Sequence, residues 1–173
     1  MENKVMSHMT KGLIIGLILI VVSIAGHIAG IDEQSWFRWS SNVILAIAIA
    51  LSCIHYANQL SGDTTFGNVF AHGFKATAIT ALILIIYTVI AVLLLFPEIR
   101  EKGFEVARQQ LEADGKMSND QIEQALNIGK KFFWPIAIGA VLFGTLIFGA
   151  IASLIGAAIA KKNPNRPPQQ FNV

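Results

Sequence analysis

Charge is scarce in this chain and cysteine is nearly missing. Of 173 residues only 14% are Asp, Glu, Lys or Arg, while 54% are hydrophobic. An ordinary soluble domain carries about 25% charged residues, so this balance argues against one. A net charge of +2 is too small to argue for nucleic acid, which is not an expected partner. The single cysteine, Cys53, lies inside an apolar run. It can form no intramolecular disulfide and reads as a small buried hydrophobe. No nucleophile, base and orienter trio, metal-ligand spacing or phosphate-cradling glycine loop is present. No catalytic residue, cofactor-binding residue, cofactor or metal ligand is therefore assigned, and the chain is not read as an enzyme.

What is abundant is uninterrupted apolar sequence. Four runs stand out, Gly12 to Ile31, Val43 to Tyr56, Ala76 to Phe96 and Phe132 to Ala160. A hydrocarbon core of about 30 Å needs roughly 20 helical residues, because lipid offers nothing to an open backbone. The runs predict spans over 12–31, 41–58, 74–96 and 132–160. The second is the shortest, and Trp36, Phe37, Trp39 and Asn58 to Leu60 can lengthen it. The fold class expected is an all-α integral membrane protein, one domain over 1–162 with a disordered tail over 163–173. A cleavable signal peptide is the rival reading of the first run, with Lys4 and Lys11 before it and Ser23-Ile24-Ala25 within. The run is longer than an h-region of about 7–15 residues, which favours uncleaved insertion.

Net charge differs between the two faces of the spans, although their Lys and Arg counts, six against seven, are nearly even. Lys4, Lys11, Lys75, Lys161, Lys162 and Arg166, against Glu2 and Asp63, fall on one face; Asp32, Glu33, Arg38 and the mixed-charge loop 97–131 fall on the other. By the positive-inside rule both termini are expected in the cytoplasm. Trp36 and Trp39 then form an outer aromatic belt and Tyr56 an inner anchor.

Two segments outside the runs are organised. Thr64 or Thr65 can cap a helix in which Phe66, Phe70 and Phe74 recur every fourth residue, an aromatic stripe that predicts an interfacial anchor. In 97–131, Phe104, Ala107 and Leu111 share one helical face, Asp114-Gly115 marks a turn, and Ser118 to Gln121 opens a second helix with Ile122, Ala125, Leu126 and Gly129 on its apolar side. An extramembrane helical hairpin between helices 3 and 4 is expected, closed on its own seam, with Pro135 bending the chain into the fourth span. Phe104, Leu111, Ile122 and Leu126 are the candidate partner surface.

With these segments in view, GLIIGLILI, FGNVFAHGFK, FPEIREKGFEVARQQLEADGKMSNDQIEQA and GAIASLIGAAIAKKNP resemble the bacterial membrane family filed as domain of unknown function 4199, over nearly the whole chain. The resemblance implies a four-helix protein of a bacterial inner membrane. It brings no activity, cofactor or catalytic residue.

Other candidates are sparse. Of the histidines, His27 falls near the outer end of the first span and His55 near the inner end of the second, so they cannot share a metal or haem, whereas His8, His55 and His72 all map to the cytoplasmic boundary. Ser23, Ser52, Thr77, Thr80, Thr88, Thr145 and Ser153 are the polar side chains in the spans, and they read as bonded to helix backbone. Gly12, Gly16, Gly26, Gly30, Gly144, Gly149, Ala152, Gly156 and Ala160 give small-residue spacings that predict close helix packing. The bilayer is the expected partner, with a second copy or another membrane protein as further candidates. The function expected is a small structural or accessory membrane protein acting through helix or hairpin contacts. The alternative is a small oligomeric transporter or channel for a neutral or weakly polar solute.

Overall fold

The computed structural model describes residues 5–32 and 34–161. The tail 163–173, the charges of Glu2, Lys4, Glu33, Lys162 and Arg166, and the side chain of Arg38 lie outside the described residues. Within them all regular structure is helical: α1 (His8–Ile28), α2 (Ser35–Gln59), α3 (Phe66–Ile90) continued by a π-helical turn (Ala91–Leu95), α4 (Glu98–Asp114), α5 (Asn119–Lys131) and α6 (Phe133–Ile159). Four of these, with α3 and its π-turn counted together over Phe66–Leu95, are long and apolar enough to cross a membrane.

Local chemistry sets the boundaries. Ser7 caps α1, its hydroxyl accepting from the Thr10 amide. At the other end Gly30 takes φ +66°, and the Ile31 amide donates back to the Gly26 carbonyl. That left-handed stop ends α1 before the run does. The second helix starts at Ser35 and takes in Trp36 and Trp39, so it is as long as its neighbours. Thr65 is the residue that caps α3, through the Asn68 amide at 3.2 Å. From there helix runs unbroken to Leu95, about 45 Å at 1.5 Å per residue and longer than a bilayer core. It ends at Phe96, which as the residue before Pro97 leaves the helical region, at φ −140° and ψ 61°. The Phe96 amide then reaches back five residues to Ala91, which makes the π-turn. The bend expected at Pro135 falls at Phe132 instead, the break between α5 and α6. Pro135 sits in the first turn of α6, where its missing N–H leaves no bond unmade.

Packing divides the described chain into two compact units, with boundaries inside α3 and α6. The first holds α1, α2, the N-terminal part of α3 and the C-terminal part of α6. Its pairings alternate up and down. A side chain on Gly12 would meet the Ala76 carbonyl at 2.5 Å, and one on Gly16 would meet Ile83, so α1 and α3 run parallel. Gly149 lies on Thr77, and Gly73 lies on Cys53 and Ser153, so α6 and α2 run against α3. At their centre Cys53, Ala57, Val69, Ala157 and Ala160 form a buried cluster edged by Ile54, Tyr56 and Phe70. The outward faces carry Leu17, Val21, Ile47, Leu51, Leu82, Ile147 and Ile151, all exposed. Apolar surface on every helix suits lipid rather than water.

The second unit contains α4 and α5, flanked by the C-terminal end of α3 and the start of α6. Arg108 pairs with Glu123, and a Cβ on Gly129 would meet the Phe104 ring at 3.4 Å, so the two helices run antiparallel. Gly115 at φ +63° ends α4. A capping box opens α5: the Ser118 hydroxyl accepts from the Gln121 amide at 3.4 Å, and the Gln121 side chain accepts from the Ser118 amide at 2.9 Å. Arg100 lies 5.3 Å above the Phe133 ring, and Phe133 lies 5.9 Å from Phe104.

Candidate functional site

The most unusual side chain in the first unit is Lys11. In the sequence it reads as a loop charge beside the first run. In the structure it lies within the first turn of α1, on the inward face with Ile15 one turn on, and is only 5% exposed. Its ammonium donates to the Ser52 carbonyl of α2 at 2.9 Å and stands 5.9 Å from the centre of the Tyr56 ring. Those partners are neutral. Among the described residues no carboxylate pairs with Lys11, so one of its three N–H donors is satisfied by the protein. A buried charge without a counter-ion is costly, commonly several kcal/mol by order of magnitude.

Around it lie the other polar groups of this end of the unit. Ser52 is buried, and its hydroxyl has no hydrogen-bond partner among the described residues. His72 of α3 stacks on Tyr56 at 4.0 Å and 13°, and His8 meets His72 edge-on at 6.2 Å. Two of the three boundary histidines thus come together. His55 is exposed on α2 instead, and among the described residues no group of three His, Cys, Asp or Glu could hold a metal ion. His27, at the other end of α1, pairs with Asp32 at 2.7 Å.

A cleft of about 440 Å³ opens beside Lys11, between α1 and α2. Ser52, His55 and Asn58 line it toward the C-terminal end of α2, and Ile14, Ala48 and Leu51 line it deeper along the helices. It is polar at one end and apolar at the other.

Four of the remaining span hydroxyls donate to backbone. Thr77 donates to Gly73, Thr88 to Leu84 and Ser153 to Gly149, at 3.0, 2.8 and 2.7 Å. Thr80 donates both to Ala76 of its own helix and across to the Gly12 carbonyl of α1. Thr145 is buried. Of the small residues, Gly12, Gly16, Gly149 and Gly156 stand at helix crossings, Gly26 lies under Phe37, and Ala152 and Ala160 are buried. Gly30 and Gly144 have open space around them. Gly30 serves the end of α1, and Gly144 makes no close crossing. Gly73, which the spacings did not single out, is pressed between Cys53 and Ser153.

Trp36 and Trp39 are exposed, and Trp39 touches Phe148 edge-on at 6.1 Å. Phe70 and Phe74 stack at 5.8 Å, and Phe66, one turn before them, is exposed. Of the expected partner surface, Ile122 and Leu126 are 3% and 7% exposed and Phe104 and Leu111 are half-buried. They are the seam between α4 and α5, and burial withdraws Ile122 and Leu126 from any surface. The large apolar side chains exposed on these helices are Ile99, Val106 and Ile128, with Phe132 beyond.

Residues 10–162 match the family model described as Protein of unknown function (DUF4199). The chain belongs to this family. No curated protein and no solved structure matches it. Membership in DUF4199 thus covers both units and names no reaction. The four apolar helices are compatible with an integral membrane protein.

Lys11 was hidden in the sequence because it stands one residue before the first apolar run. A signal was available: Lys11 and Ile15 are spaced four apart, and Gly12 and Gly16 stand beside them on the packed face.

Proposed function

We propose that this DUF4199 protein is a small, non-enzymatic accessory protein of the bacterial inner membrane, acting through contacts made by an extramembrane hairpin of α4 and α5. The observation that carries the reading is that these helices close their own apolar seam, Ile122 and Leu126 being buried, and still leave Val106 and Ile128 exposed. A segment of that kind holds its shape without a partner and keeps apolar positions among charged ones, as a contact surface requires. The commitment of Thr77, Thr80, Thr88 and Ser153 to backbone bonds supports a packed bundle more than a solute path. The net positive charge of the short segments grouped with the termini supports cytoplasmic termini with the hairpin on the opposite face. The resemblance to a bacterial family supports the choice of membrane.

The test is mild-detergent affinity purification of the tagged protein from native membranes, with quantitative mass spectrometry. The proposal expects a protein recovered near stoichiometry from wild type and lost from the Val106→Asp, Ile128→Asp double variant, whose seam is untouched. Recovery of the chain alone, or equal recovery of the partner by the variant, refutes it.

A further inference from the structure

We infer that the cleft between α1 and α2 binds an anionic bilayer lipid, its headgroup phosphate on Lys11 and an acyl chain along Ile14 and Leu51. The inference uses the membrane placement proposed above and is independent of the hairpin's role.

Three observations converge on this occupant. Lys11 is 5% exposed, and its ammonium meets only a neutral carbonyl, Ser52 at 2.9 Å. A phosphate oxygen supplies both the missing counter-charge and acceptors for the free N–H groups. Next to it the Ser52 hydroxyl is buried and has no partner among the described residues, while His55 and Asn58 add donor capacity at the rim and no carboxylate lines the cleft. An anion is admitted there, and a cation is disfavoured.

Polarity along the cleft sets the class of anion. Lys11 is in the first turn of α1, and Ser52, His55 and Asn58 are in the last turns of α2. These are helix ends, at headgroup depth for helices that span. Ile14 and Ala48 lie about one turn further into the helices, toward acyl-chain depth, with Leu51 at the boundary beside Ser52. Ile14, Leu51, His55 and Asn58 are all exposed, so the cleft opens sideways to the lipid phase. A volume of about 440 Å³ is within the usual range for a ligand pocket. It suits a headgroup and the upper part of one chain. A free phosphate would leave the apolar half unfilled.

The experiment is native mass spectrometry of the full-length protein released from nanodiscs of phosphatidylcholine containing a minority of phosphatidylglycerol. Wild type and Lys11→Arg are expected to retain one phosphatidylglycerol in preference to phosphatidylcholine. Lys11→Gln is expected to lose that preference about tenfold to a hundredfold, as for a charge-assisted bond removed. Leu51→Trp fills the apolar half, leaves Lys11 intact and is expected to lower retention as well. Leu51 is 58% exposed, so this variant keeps the test alive if Lys11→Gln fails to fold. Equal retention of the two lipids by wild type, or undiminished preference in the folded variants, overturns the inference. Displacement of the lipid by added inorganic phosphate overturns the choice of a lipid as occupant. Failure of the protein to enter nanodiscs refutes the membrane placement along with it, whereas loss of the hairpin's partner leaves it standing.

Discussion

Gly156 and Gly144 lie on the same helix and differ in what surrounds them, so a matched pair of alanine substitutions isolates close packing. A Cβ on Gly156 would stand 2.7 Å from the Cys53 Cβ and 2.9 Å from the Ala50 Cα, and the second of these is backbone. Carbon atoms prefer about 3.5–4.0 Å, so α2 and α6 must separate by roughly 1 Å. Overpacking of that kind costs about 1–3 kcal/mol. A Cβ on Gly144 meets nothing within 4 Å. Both changes gain about 0.8–1 kcal/mol of helix propensity. Gly144→Ala is thus stabilising, and Gly156→Ala lies about 1–3 kcal/mol below it, or several degrees in Tm by the scaling of soluble chains of this length. Cys53 supplies the assay: it is the sole cysteine and fully buried, so a thiol-reactive fluorophore reports unfolding in detergent during a thermal ramp. Equal Tm values for the two variants, or a higher one for Gly156→Ala, would refute the close crossing of α2 and α6.

Two further substitutions probe separate parts of the structure. Thr80→Val keeps the shape and removes the bond to the Gly12 carbonyl, so the same thiol assay is expected to show a loss of about 0.5–1.5 kcal/mol; a neutral result would remove the hydroxyl from the packing of α1 on α3. Ser118→Ala breaks the capping box, and amide exchange at the start of α5 is expected to rise about fivefold for a cap worth about 1 kcal/mol. Unchanged exchange in Ile122 to Leu126 would show that the seam alone holds that turn.

The parts of the fold that were legible in the sequence are those governed by neighbours along the chain. Four spans follow from run length, and the turn at Asp114-Gly115 and the box at Ser118 follow from residues with one preferred local conformation. The aromatic residues before the second run proved to be helix, because a short run gains length from any flank without a breaker. The shift of the bend from Pro135 to Phe132 has the same local origin, since proline is accommodated in a first turn and disrupts the residues before it. What sequence alone left hidden depends on which face of each helix turns inward. Small-residue spacing marks Gly144 and Gly149 alike, yet only Gly149 meets Thr77. Gly73, followed by Thr77 and Ala81 at the same spacing, lies at a crossing of three helices that glycine and alanine pairs alone did not mark. Lys11 and the cleft beside it required α1 and α2 to be brought together, and the partner surface expected at Ile122 and Leu126 went into the seam because two amphipathic helices bury their apolar faces against each other first.

The membrane placement, on which the rest of the account depends, is tested most directly by cysteine accessibility in intact cells. Asp63→Cys reports the connection between α2 and α3, and Lys116→Cys the connection between α4 and α5; both sites are exposed, and buried Cys53 stays silent. The account predicts that a membrane-impermeant maleimide labels Lys116→Cys in intact spheroplasts and labels Asp63→Cys only after permeabilisation. Labelling of both from the same side would contradict the four-span arrangement with the hairpin opposite the termini.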